Sequence, residues 1–164
     1  MPRLAVLVAL VLAAAVPAPL GATSMGRVMT VQDRAGDTRA PDLDIRQASI
    51  VLSEGTLAVK MTMAAAVRNN SIYSGMFTCG SRLTQLGVKR AAGVTTIFLF
   101  DWNTPRQIKV PGFISGRTVA VSAPAKKMGC ARALIRFMLT AEGTNSRPRM
   151  TDSVPQRGKL TYRP

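Results

Sequence analysis

The chain has 164 residues, 22 lysines and arginines against 8 acids, no histidine, and a formal net charge of +14. That length suits one compact domain with a core of its own. The missing histidine excludes Ser-His-Asp and Cys-His catalysis, histidine-ligated zinc or copper, and histidine-ligated haem.

The N-terminus reads as a secretory signal peptide. Arg3 supplies a positive start, Leu4 to Val16 is an unbroken run of Leu, Val and Ala, and Pro17 ends it. Leu20-Gly21-Ala22 then places a small residue at the cleavage point. The run falls well short of the roughly 20 apolar residues that span a bilayer. The expectation is a signal peptide over 1–22 and a single domain over 23–164, secreted or cell-wall associated, with no transmembrane anchor after processing.

Beyond the cleavage point the apolar pattern has period two, with turn formers at intervals typical of a β-sandwich or barrel. Arg27 to Gln32 is the first predicted strand. Asp33, Asp37, Asp42 and Asp44 follow within one turn-rich segment, half of all the acids gathered in a strongly basic chain. Clustered carboxylates repel, so they persist with a cation, as caps on backbone N–H groups, or with arginine partners. Calcium wants six to eight oxygens, and these side chains with loop carbonyls supply many of them, although the spacing is not that of an EF-hand. The competing account is ordinary Asx turn chemistry with Arg34, Arg39 and Arg46 as ion-pair partners.

Ile45 to Leu52 is the second predicted strand, and Glu54-Gly55 a tight turn. Thr56 to Met63 alternates most clearly, with Leu57, Val59, Met61 and Met63 facing inward. Ala64 to Ser71 reads as a loop and Ile72 to Cys79 as a weaker strand. Val94 to Phe100 is apolar on both faces towards its end and is placed centrally. Asp101 to Pro105 is a turn, and Gln107 to Val110 a short strand. Trp102, the single tryptophan, reads as a core or rim anchor more readily than as a sugar platform. Phe113 to Ser122 is one strand, Ala125 to Gly129 a loop, and Cys130 to Thr140 a strand, with a helix as its main rival, in which Ala133, Ile135, Phe137 and Leu139 alternate against Arg132, Leu134, Arg136 and Met138. The tail from Glu142 is polar and basic, with one late strand at Lys159 to Tyr162.

Cys79 and Cys130 are the only cysteines, and in an exported protein an even pair points to one disulfide. Lys126, Lys127, Arg132 and Arg136 are expected to line one outward strand face. A strongly cationic exported domain is attracted to anionic wall polymer, acidic polysaccharide or lipid. Specific nucleic-acid recognition is not expected, because no motif and few aromatics support it.

The motif Asp33-x-x-Gly36-Asp37, then Pro41-Asp42-x-Asp44-Ile45, then Gly55-Thr56-Leu57-x-Val59, resembles the opening of secreted bacterial β-sandwiches of the DOMON-like type, related in fold to the family-nine carbohydrate-binding modules. Thr151-Asp152-Ser153-Val154-Pro155 resembles the Asp-x-x-Pro that often closes such domains. The resemblance implies an antiparallel, jelly-roll-like sandwich. It also implies that Asp33, Asp37, Asp44 and Asp152 gather around a structural cation. The chain departs from the pattern in two ways: it has few aromatic residues for sugar stacking, and no histidine for a haem.

The expected function is a non-catalytic exported binding or accessory module, with an anionic surface polymer, a polysaccharide or another exported protein as partner. A secreted carboxylate-dependent hydrolase or an enzyme-inhibitory protein is the alternative, its acid pair drawn from the turn cluster, Asp101, Glu142 or Asp152.

Overall fold

The computed structural model describes residues 27–34, 36–131, 134–145, 150–156 and 158–163. The expected signal peptide lies outside them. The described chain is an antiparallel β-sandwich. One sheet has the order β1 (Val28–Gln32), β2 (Ile45–Ser53), β3 (Thr56–Met63), β9 (Thr118–Pro124), β8 (Gly112–Ser115). The other runs β11 (Thr151–Val154), β10 (Ile135–Gly143), β4 (Ser71–Cys79), β5 (Arg82–Ala91), β6 (Val94–Asp101), β7 (Arg106–Lys109), with β12 (Leu160–Tyr162) also paired to β10. The chain builds three strands of the first sheet and four of the second. It then returns for β8 and β9 and finishes on β10 to β12.

The core forms where the inward rows of the two sheets meet. Leu57, Val59, Met61 and Met63 of β3 are buried as their alternation demands. They face the same interior as Tyr73 and Phe77 of β4, Leu86 and Val88 of β5, and Ile135, Phe137 and Leu139 of β10. The β2–β3 turn at Glu54 and Gly55 has positive φ at both residues, 49° and 72°. This is the handedness that suits the twist of a two-residue hairpin, and glycine adopts it without a Cβ penalty.

Several sequence expectations need correction. Phe113 to Ser122 is not one strand but the hairpin β8–β9, turned at Gly116 and Arg117. β5, ten residues long, was not expected at all. Its alternation is masked because the inward row begins with Arg82 and Thr84, while the outward row holds Leu83. β6 is flanked by β5 and the short edge strand β7, so it is next to the edge rather than central. β10 begins at Ile135, where it pairs with Cys79 at the end of β4, rather than at Cys130. Ala125 to Met128 is a short 3-10 helix, not a loop. β11 at Thr151–Val154 was also missed.

The disulfide forms as expected: Cys79 and Cys130 are bonded, with Cα atoms 5.1 Å apart. It ties the end of β4 to the segment after β9, across the two layers. Tyr162 of β12 makes a second tie. Its hydroxyl accepts the Leu52 N–H at 3.1 Å and donates to the Arg27 carbonyl, joining the C-terminal strand to the first sheet.

Candidate functional site

A β-bulge organises the acidic end of the molecule. Ile45 pairs with Met63 but Gln47 pairs with Thr62, so Arg46 is the extra residue at the start of β2. The irregular backbone frees the Ile45 N–H from the ladder, and the Asp152 carboxylate takes it at 2.7 Å through Oδ2. Asp152 stands on β11, an outer strand of the other sheet, and its Oδ1 accepts the Ser153 N–H at 2.7 Å. One carboxylate therefore bridges the two layers.

The first loop meets it there. Carboxylate oxygens of Asp33, Asp37 and Asp152 all lie within 4.8 Å of one another. Asp33 Oδ1 accepts the Arg34 N–H at 2.9 Å, and its Oδ2 is buried without a partner. Asp37 is exposed, and the Gln156 side-chain amide donates to its Oδ2. Asp44 is 3% exposed. Its Oδ2 accepts the Gly36 N–H at 2.9 Å, and its Oδ1 is a second buried oxygen without a partner. Asp42 does not join the three: it sits just before Leu43, and its backbone carbonyl accepts the Tyr73 hydroxyl at 2.8 Å. Burial pushes that Tyr73 hydroxyl up to about 12.

The electrostatics of this end are unfavourable without a counter-charge. Burial, with the charges of Asp37 and Asp33 nearby, pushes Asp152 up to about 6, although two backbone N–H groups pull the other way. Burial also raises Asp33, reinforced by Asp37 and Asp44. Among the described residues no ion pair joins any of these aspartates to Arg34, Arg39 or Arg46.

Of the basic residues singled out in the sequence, the three that are described do not share one strand face. Lys126 and Lys127 are exposed on the 3-10 helix, ahead of β10, whereas Arg136 is exposed on β10 itself. Arg132 lies outside the described residues. Lys127 lines a cleft with Arg82, Asp101 and Arg106; Arg136 lines separate grooves beside Thr78, Leu134 and Tyr162.

The strand parities of β5 to β7 show a site that sequence reading missed. Arg82 shares the inward row of β5 with Thr84, Leu86 and Val88, and Asp101 shares that of β6 with Ile97 and Leu99. Arg82 Nη2 donates to Asp101 Oδ2 at 2.6 Å, and that oxygen also accepts the Thr104 hydroxyl at 2.8 Å. Asp101 Oδ1 takes the Asn103 N–H at 3.0 Å. The Arg82 and Thr104 bonds, in that order, hold the Asp101 carboxyl down at about 2. Trp102 is half exposed and meets Phe100 edge-on, ring centroids 4.9 Å apart, on the outer face of the same sheet. It is a rim residue.

Comparison with protein-family models, with curated proteins and with solved structures finds no match.

Proposed function

We propose that this chain is a non-catalytic exported module that contacts anionic cell-surface polymers, or an acidic face of another exported protein, through its basic surface. We further propose that calcium held at Asp33, Asp37 and Asp152 staples its first loop to its C-terminal segment. The observation that carries the binding reading is uncompensated charge. Among the described residues the single ion pair is Arg82–Asp101, in a chain with a net charge of +14. Cations left without partners in the fold attract polyanions and raise the rate of encounter.

The calcium reading is supported by the donor chemistry. The cluster offers oxygen ligands only, and oxygens sharing a calcium at about 2.4 Å lie no more than about 5 Å apart. The three carboxylates meet that bound at 4.8 Å. The bare oxygens of Asp33 and Asp44 are the kind of buried acceptor that a cation satisfies. The likeness to DOMON-like sandwiches points the same way.

Retention of the refolded, disulfide-intact protein on immobilised teichoic acid, pectate and peptidoglycan, followed through a salt titration, tests the binding reading. Retention on at least one polyanion, falling steeply with salt, is the expected result. Retention that ignores salt, or none on any matrix, contradicts it.

A further inference from the structure

The inner face of a sandwich sheet is normally apolar, yet at the β5–β6–β7 corner it carries Arg82, Asp101 and Arg106. Asp101 and Arg106 are directly opposed across β6 and β7. These residues open onto a cleft of about 450 Å³ whose other wall is Lys127 of the 3-10 helix. Its floor is Leu99, 3% exposed, and the partly buried Ile108. Three cations thus face one carboxylate. Asp101 is matched to Arg82, while Arg106 and Lys127 carry no ion pair among the described residues.

The corner is also built rather than incidental. The Arg82 stem lies along Gly129, where an added Cβ would come within 3.1 Å of Arg82 Cδ. Gly129 has φ of 74°, a conformation that already favours glycine. The stem is therefore backed by the Gly129 backbone, and the guanidinium is held by the Asp101 carboxylate. The Asp101 turn is pinned in its turn, because Asn103 Oδ1 accepts the Leu83 N–H at 2.7 Å.

Resting on the reading of the chain as a module for anionic partners, we propose that this inter-sheet cleft is its specific ligand site. It takes one acidic sugar unit of a polyanionic glycan, with the oxyanion between Arg106 and Lys127 and the apolar ring face on Leu99 and Ile108. Arg82, already neutralised by Asp101, positions the wall and leaves the net positive charge to the other two. A cleft with an apolar floor and a few convergent charged groups is the usual form of a small-ligand site. Guanidinium pairing with a planar carboxylate favours carboxylated sugars.

The test is calorimetric or NMR titration with trigalacturonate, using its fully methyl-esterified form as the neutral twin. The wild-type protein should bind the acid and not the ester. The double variant Arg106→Gln/Lys127→Gln should lose about tenfold or more in affinity, the effect of removing charge-assisted contacts. Lys60→Gln, equal in charge to either single change but on the outward row of β3 in the other sheet, should bind like wild type. Inorganic phosphate should displace the oligomer, since it offers the same oxyanion. Equal binding of acid and ester, no effect of phosphate, or an unchanged double variant would each overturn the assignment, as would the absence of any binding at millimolar trigalacturonate. If the wild type and the double variant are retained equally on pectate, the cleft assignment fails and the module reading stands. If neither is retained on any polyanion, both fail.

Discussion

The two ends of the second sheet hold aspartates in opposite situations. Near Cys79, the Asp101 carboxylate meets Arg82, the Thr104 hydroxyl and the Asn103 N–H, and its pKa falls to about 2. On β11, four strand spacings or roughly 20 Å across the sheet from β6, Asp152 is buried beside Asp33 and Asp37, and its pKa rises to about 6. The first end is closed by a disulfide and an ion pair. The second is closed by carboxylates that accept backbone N–H groups while repelling one another. Identical side chains thus read their surroundings: one end is complete, and the other calls for positive charge.

Breaking the complete end should cost most. Replacing Cys79 and Cys130 by serine reopens a link with a sequence separation of 51. In the chain-entropy account that loses about 4 kcal/mol. Urea denaturation measures it, and a loss under about 1 kcal/mol would show that the disulfide is not what holds this end.

The acidic end gives the next effect, with a sign opposite to ordinary acid denaturation. Asp152 has a folded pKa of about 6, above its ordinary value of 3.8, and Asp33 is shifted in the same direction. A carboxyl raised in the fold contributes stability that is full below its unfolded pKa and lost as pH rises through its folded pKa. With calcium chelated, the melting temperature should therefore rise as pH is lowered from about 7 towards about 4. With calcium in excess the trend should reverse, because protons then compete with the ion. A melting temperature that falls across this window in EDTA would contradict the repulsion described at Asp152.

The smallest effect belongs to the ion pair. Arg82 is 40% exposed, and pairs near solvent contribute little. Asp101→Asn should lower the melting temperature slightly and leave the calcium response of the other end unchanged. Loss of that response would mean the two ends are coupled.

Much of this arrangement was legible in the sequence where alternation was clean or chemistry was scarce. β3 alternates without interruption, and its inward row is the one found buried. The two cysteines of the chain leave one pairing, and it forms. The meeting of the first loop with Asp152 was also anticipated, whereas the expected arginine partners for the cluster were not found among the described residues. What stayed hidden depends on parity. Arg82, Asp101 and Arg106 are informative only once β5, β6 and β7 are in register, and β5 opens with a charge on its inward row. The bulge at Arg46 shows in the sequence only as the adjacent polar pair Arg46-Gln47, which breaks the period of β2 but reads equally as ordinary solvent-facing polarity.

The cation at the acidic end is the claim on which the contrast between the two ends rests. Thermal melting of the disulfide-intact protein with calcium, with magnesium and with EDTA, run beside Asp37→Ala, tests it directly. At several millimolar calcium, a site of the strength usual in extracellular modules should raise the melting temperature by about 3 °C or more. Magnesium at the same concentration should do less, EDTA should reverse the shift, and Asp37→Ala should abolish it. An unchanged melting temperature, or an equal shift in Asp37→Ala, would contradict the account.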